Sequence, residues 1–177
     1  LQAIFEFQSC MCRLTGMDVA NASLYDGGTA VYEAAMMAVR LGRKKNRIVV
    51  DGTINPIHLD MLRTHSFNTQ LDIHVVEPQG LEISPSALIE AIDQDTAAVI
   101  VQNPNFFGHI CDCTALAEAA HDVKALLVMA VYPMALGVMK TPGAMGADIV
   151  IGEAQSLGMP LSFGGPYLGF MACREKA

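Results

Sequence analysis

The hydrophobic residues of the central and C-terminal parts of the chain fall into short, almost wholly apolar runs, separated by stretches with helical periodicity. Apolar runs without polar alternation are typical of strands buried on both faces of a sheet. Strands that alternate with helices indicate a parallel sheet, so the pattern predicts a three-layer α/β/α fold with a mostly parallel sheet. The five predicted strands are Arg47–Asp51, Ile73–Glu77, Ala97–Gln102, Leu126–Val131 and Ile149–Ile151.

Helices are predicted before and between these strands. Apolar residues at helical spacing over residues 2–15 predict an amphipathic helix, and Gly16 follows as a left-handed cap. A nearly continuous apolar stretch, Ala30–Leu41, predicts a buried helix. Because there is neither an internal repeat nor a linker, we expect one domain over residues 1–177. Three further helices are predicted at a capping residue before proline or from periodicity, after Asn55-Pro56, after Ser84-Pro85 and over Thr114–Val123.

The composition is unusual in one respect. Of the 177 residues, 52% are hydrophobic and only 16% are charged, whereas about 25% is usual for a soluble domain. We therefore expect a surface that is normally covered, and self-association of this chain alone. Since the chain starts at Leu1 without an initiator Met, we interpret it as an excised fragment.

Charge and cysteine content exclude several classes of protein. The net charge is −7, and the longest basic cluster is Arg43-Lys44-Lys45, so no nucleic-acid role is expected. No apolar run approaches the roughly 18 residues of a membrane span, which predicts a soluble protein without membrane contact. The five cysteines form an odd set that fits reduced thiols in the cytoplasm. Their Cys-x-Cys pairs are spaced too closely for structural zinc, and no metal site is expected.

Ligands of open parallel sheets bind beyond the carboxyl ends of the strands, so the connecting loops are where function is expected. The loop Asp26-Gly27-Gly28-Thr29 opens the buried helix with two glycines and a hydroxyl. Such a loop either cradles a phosphate at the positive helix end or is a tight turn with a helix cap. The carboxamides of Gln102, Asn103 and Asn105 either hold a planar ligand or cap the next helix. The glycine-rich run Phe163–Gly169 offers backbone donors for an anion in this chain or in a neighbour.

Four long motifs carry further information: LQAIFEFQ at residues 1–8, LTGMDVANAS at 14–23, QNPNFFG at 102–108 and GADIVIGEAQSLG at 146–158. Taken together, they resemble the P-protein of the glycine cleavage system, which is glycine dehydrogenase (decarboxylating), and more narrowly its subunit 1 or amino-terminal half. The resemblance covers the whole chain. It implies the large domain of a fold-type I, aminotransferase-like enzyme dependent on pyridoxal phosphate. It also implies glycine decarboxylation with transfer of the aminomethyl group to the lipoyl arm of H-protein, the cofactor acting as electron sink.

The resemblance also implies that this chain lacks the family's Schiff-base lysine. Counting back from Pro160 and the following glycines puts Gln155 at the position of the family's Schiff-base lysine, and a carboxamide cannot form a Schiff base. Tyr132 stands where related enzymes place an aspartate against the pyridinium nitrogen. No other lysine replaces the lost one. The resemblance therefore implies a noncatalytic chain without covalently bound cofactor, in which Gly27, Gly28 and Thr29 form a vestigial phosphate cradle.

Fold-type I enzymes share their active sites across a dimer. The resemblance implies that Gly164, Gly165 and Gly169 serve the phosphate of pyridoxal phosphate bound by the partner, the catalytic subunit 2. The alternative is a noncatalytic regulatory module that binds a free phosphate compound in the cradle. A self-sufficient pyridoxal-phosphate enzyme is disfavoured by Gln155. We interpret His58 and His65 as surface or capping residues, and Glu153 as a hydrogen-bonded loop anchor rather than a buried acid of the site.

Overall fold

Seven strands form one sheet in the part of the chain that the structure describes, a computed structural model covering residues 1–42 and 44–176. Arg43, part of the basic cluster in the sequence, lies outside the described residues. The strands occur in the order β1-β7-β6-β5-β4-β2-β3 across the sheet. Their bounds are β1 Val19–Ala20, β2 Arg47–Asp51, β3 Asp72–Val76, β4 Thr96–Gln102, β5 Leu126–Val131, β6 Ile149–Glu153 and β7 Gly169–Cys173.

The five predicted strands are confirmed, with ends that shift by one or two residues, and they pair in parallel from β3 through β2, β4 and β5 to β6. Two antiparallel strands, β7 beside β6 and β1 beside β7, complete the sheet. They were not predicted because β1 has only two residues and β7 (GFMAC) lacks the β-branched residues that mark the other strands. The mostly parallel α/β prediction is therefore confirmed, with an antiparallel edge.

The helices connect these strands. The first helix ends at Gly16 with φ 73°, which confirms the predicted left-handed cap. The third helix begins at Pro56, and the Asn55 side chain accepts a hydrogen bond from the Ile57 N–H as its cap. Within residues 1–42 and 44–176, no helix has the length and apolar character needed to cross a membrane. The helices are α1 Gln2–Thr15, α2 Gly27–Gly42, α3 Pro56–Ser66, α4 Pro85–Ala91 and α5 Thr114–Asp122.

Side chains of the sheet divide between two hydrophobic cores because successive residues of a strand point to opposite faces. In β4, Ala98 and Ile100 pack with α2 and α3, whereas Val99 and Val101 belong to the core that contains residues of α1, α4 and α5. The arrangement is the predicted three-layer α/β/α architecture. It brings the carboxyl ends of β4, β5 and β6 to one edge, next to the N-termini of α2 and α3.

Candidate functional site

A cavity of about 480 Å³ lies at this edge of the sheet. The carboxyl ends of β4, β5 and β6 form its floor, and the first turns of α2 and α3 form one wall. Ligands of open α/β sheets bind at such an edge, so the cavity is the natural candidate site. It is lined by Asp26, Gly27, Gly28, Asn55, Ile57, His58, Met61, Gln102, Ala130, Val131, Tyr132, Gly152, Glu153 and Tyr167.

The N-terminus of α2 carries the predicted cradle residues Gly27, Gly28 and Thr29. The Thr29 N–H donates to the Asp26 carboxylate at 2.6 Å, so Asp26 caps the helix. The Gly27 N–H donates to Glu153 Oε2 at 3.1 Å. Carboxylates of the chain itself therefore hold two of the donors that a bound phosphate would need.

The cavity is acidic. Asp26 and Glu153 line it, and neither Lys nor Arg is among the described residues that line it. His58 adds no compensating cation, because burial lowers the pKa of its imidazole even though Asp26 and Glu153 oppose this shift. An anionic ligand therefore meets two like charges without a counter-ion.

The position of His58 corrects one prediction. We expected a surface or capping residue, but His58 is half-buried and lines the cavity. Its Nδ1 is buried without a hydrogen-bond partner among the residues that the structure describes. His58 faces the cavity because α3 packs against α2, which directs the first turn of α3 towards the edge of the sheet. His65 fits its prediction: it is exposed, and its ring lies 5.2 Å from that of Tyr32.

Gln155 lies just after β6, in a 3₁₀ turn that spans Gln155–Leu157. Its side-chain amide donates to the Pro160 carbonyl at 3.2 Å, which ties the following loop. Tyr132 lies at the end of β5 and is half-exposed. None of the lysines lines the cavity; these are Lys44, Lys45, Lys124, Lys140 and Lys176.

Two of the three candidate carboxamides are bound within the protein. Asn103 is fully buried, donates to the Cys111 carbonyl at 2.7 Å and accepts from the Cys111 N–H. Asn105 donates to the Leu81 carbonyl at 2.8 Å and accepts from the N–H groups of Phe107 and His109. Gln102 alone lines the cavity, where its Oε1 accepts from the Asn55 N–H at 2.8 Å.

The glycine-rich run divides into an exposed loop and a buried strand. Residues 156–167 form the loop, which carries Gly164 and Gly165, with the fully exposed side chain of Phe163 beside them. Gly169 instead begins β7, where an added Cβ would lie 2.4 Å from the Asp26 carbonyl oxygen. Gly164 is therefore exposed and Gly165 half-buried in this loop, whereas Gly169 is buried and allows close backbone packing.

The cysteines are all free thiols. Burial raises the pKa of the Cys113 thiol to about 12, so this side chain is protonated and inert at neutral pH. Within residues 1–42 and 44–176, no group of three or more His, Cys, Asp or Glu side chains is arranged to hold a metal ion.

This sheet order and site position define the large domain of fold-type I, pyridoxal-phosphate-dependent enzymes. The fold matches a cystathione gamma lyase from Micromonospora echinospora with a TM-score of 0.70 at 19% identity, covering 96% of this chain and 42% of that one. It also matches a structure named for an O-acetylhomoserine (thiol)-lyase of Campylobacter jejuni, which holds N'-pyridoxyl-lysine-5'-monophosphate, with a TM-score of 0.71 at 13% identity over 96% of this chain and 39% of that one.

The chain belongs to the glycine cleavage system P-protein family, whose model matches residues 1–177. It is 53% identical over 176 residues to a protein of Citrifermentans bemidjiense named "Probable glycine dehydrogenase (decarboxylating) subunit 1". A protein of the same name from Geotalea uraniireducens is 55% identical over 179 residues. Both matches cover 99% of this chain but only 39% and 40% of the relatives, so the chain spans about two fifths of their length.

A solved glycine decarboxylase (P-protein) of the glycine cleavage system, in inhibitor-bound form, matches with a TM-score of 0.93 at 39% identity. That match covers 99% of this chain and 39% of the solved chain. The resemblance to the P-protein family that the sequence motifs indicated is thereby confirmed.

Pyridoxal phosphate, the cofactor of this fold class, does not fit the cavity of this chain. Gln155 provides a carboxamide after β6, and no lysine lines the cavity. Asp26 and Glu153 occupy donors of the α2 N-terminus and repel a phosphate.

Proposed function

We propose that this chain is the noncatalytic part of a glycine decarboxylase whose lysine-bearing part is a second, homologous subunit. The assembly would decarboxylate glycine and transfer its aminomethyl group to the lipoyl arm of H-protein. Membership of the P-protein family and relatives named subunit 1 of glycine dehydrogenase (decarboxylating) support this proposal. We infer a cytoplasmic location, since all described cysteines are free thiols.

The observation that carries the proposal is the mismatch between this fold and its own cavity. The architecture is that of a pyridoxal-phosphate enzyme, yet Gln155 follows β6 and the described lining of the cavity includes neither lysine nor arginine. A chain that keeps the fold without a cofactor site must contribute in another way. We propose that it supports the site in which the partner subunit binds pyridoxal phosphate.

The loop of residues 156–167 is the part of the chain that we propose reaches this site. Gly165 has room around it, because no heavy atom beyond its neighbours lies closer to an added Cβ than 3.9 Å. The N–H groups of Gly164 and Gly165 both donate to the Leu161 carbonyl, at 2.7 and 3.0 Å, which shapes the loop into a tight turn. These two N–H groups are used within the turn, so Gly165 supports the proposal through the close backbone approach that its missing Cβ allows.

Apolar side chains that are exposed around the loop support the proposal that a partner covers this surface. Leu161 is 80% and Phe163 is 112% exposed, values that are unfavourable in water. A groove of about 790 Å³ between α1 and the base of the loop adds Phe7, Leu14 and Met159 to this surface. The low share of charged residues in the sequence fits a chain that covers these side chains with a partner.

The alternative, a regulatory module that binds a free phosphate compound at Gly27-Gly28-Thr29, has less support. Such a ligand would compete with Glu153 for the Gly27 N–H and with Asp26 for the Thr29 N–H. It would also enter a cavity whose described lining includes neither lysine nor arginine. The geometry therefore favours support of a partner site.

Reconstitution tests the proposal. The full-length chain, the lysine-bearing homologous subunit and their mixture are assayed for glycine decarboxylation with pyridoxal phosphate and H-protein. We expect turnover only from the mixture, with each subunit alone at least about a hundredfold slower, because loss of a single positioned donor already costs that much. Full turnover by either subunit alone would contradict the proposal.

A further inference from the structure

Glu153 is the last residue of β6, and its carboxylate contacts three backbone N–H groups. One of them, at Gly27, is 126 residues away in sequence. Oε2 accepts the N–H of Gly27 at 3.1 Å, while Oε1 accepts the N–H groups of Gln155 at 3.0 Å and Leu168 at 2.6 Å. One carboxylate thus joins the start of α2 to both ends of the exposed loop.

The base of the loop depends on this carboxylate. Gln155 and Leu168 flank residues 156–167 on either side, and the Ala154 N–H donates to the Leu168 carbonyl at 2.7 Å. Most of the loop's own side chains are exposed, so packing restrains them little. The hydrogen bonds of Glu153 therefore link the base of the loop to the start of α2.

Local geometry leaves room for the carboxylate. An added Cβ at Gly27 would lie 3.2 Å from both Glu153 Cβ and His58 Cε1, so glycine allows this approach. The first N–H groups of a helix lack intrahelical partners, and the helix dipole favours an anion there. Glu153 supplies that anion from within the chain.

We propose that Glu153 is a positioning residue: an internal carboxylate that fills the cradle of α2 and thereby fixes the loop in the orientation that the partner's cofactor requires. This inference rests on the proposed function, because it needs the loop to serve the partner subunit's pyridoxal phosphate. In this proposal the anion at the N-terminus of α2 is the Glu153 carboxylate and not a bound ligand.

Glu153→Gln tests the inference while preserving side-chain size. One carboxylate oxygen becomes an NH₂ group, so either Gly27 or the pair Gln155 and Leu168 loses its acceptor. The matched control is Glu82→Gln, at an exposed glutamate. Hydrogen exchange of the peptide covering residues 154–169 is measured on the full-length chain, and the Kd of pyridoxal phosphate is measured on the assembled enzyme by titration.

We expect Glu153→Gln to speed exchange in that peptide about tenfold and to raise the Kd by a similar factor, as for loss of a charge-assisted hydrogen bond. Glu82→Gln should change neither. If Glu153→Gln does not fold, Glu153→Asp is used instead. This variant keeps the charge but places the carboxylate one methylene further from the N–H groups of Gly27, Gln155 and Leu168. Hydrogen exchange of the same peptide should again be faster.

Two results would overturn the inference. Unchanged exchange would show that Glu153 does not hold the loop. Faster exchange with an unchanged Kd would show that the orientation of the loop does not matter to the cofactor. Failure of the proposed function gives a different result. If the loop does not contact the partner's cofactor, a carboxylate placed in the loop at Gly165 would also leave the Kd of pyridoxal phosphate unchanged.

Discussion

Replacing Gly165 by aspartate is expected to weaken pyridoxal phosphate binding by the assembled enzyme about a hundredfold. The substitution places a carboxylate in the loop that we propose contacts the cofactor's phosphate. At about 4 Å and an effective dielectric constant of about 20, the repulsion between unit charges is about 4 kcal/mol, and partial screening lowers this to about 3 kcal/mol. The Kd is measured by titration of the apo-enzyme.

Gly165→Asn is the matched control because it adds a side chain of the same shape without charge. The nearest atom to a Cβ at this position is the Tyr167 backbone nitrogen, at 3.9 Å, so both variants have space. We expect the asparagine variant to stay within about threefold of the unmodified enzyme, since surface changes cost little. Equal Kd values for the two variants would refute an electrostatic contact between this loop and the phosphate.

Replacing Gly169 by alanine is expected to destabilise the full-length chain by about 3 kcal/mol, at the upper end for overpacking. The added Cβ would lie 2.4, 2.6 and 2.9 Å from the carbonyl oxygen, carbonyl carbon and nitrogen of Asp26. These are backbone atoms at the start of α2, and β7 is held by β6 on its other side. Neither element can move without breaking hydrogen bonds, so the strain remains.

Thermal unfolding measures this effect, with an expected fall in Tm of roughly 10 °C for a domain of this size. Gly80→Ala is the control, because Gly80 is exposed and a Cβ there has no atom within 4 Å. Its stability should change by less than about 0.5 kcal/mol. A Tm for Gly169→Ala equal to that of the control would show that the close approach of β7 and α2 is not required.

The layers of the fold could be predicted from the chain because its buried strands are rich in Val and Ile. In runs such as Leu126–Val131, apolar residues do not alternate with polar ones, so both faces of the strand are buried. Such strands are typical of a parallel sheet that helices cover on both sides. Strand β7 was missed for the opposite reason: Gly169–Cys173 has no β-branched residue, and its partner β1 is only two residues long. Pairing in space, rather than local preference, determines these two strands.

The candidate site was predictable at its loops and less so in its side chains. Gly27 was singled out because its glycine-rich loop opens a helix, and Glu153 because it precedes Gln155 by two residues. The interpretation of Glu153 as a loop anchor is confirmed by its hydrogen bonds. His58 was misplaced, since a single histidine in the first turn of α3 has no sequence signal for the direction of its side chain. Only the packing of α3 on α2 turns it towards the cavity.

Covalent trapping of the cofactor shows which subunit carries the lysine that binds it. Pyridoxal phosphate is added to the assembled enzyme, borohydride fixes it to the lysine that holds it, and peptides of both subunits are mapped by mass spectrometry. We expect one pyridoxyl-modified lysine in the partner subunit and none in this chain, where Gln155 follows β6. Specific modification of Lys44, Lys45, Lys124, Lys140 or Lys176 would contradict this expectation.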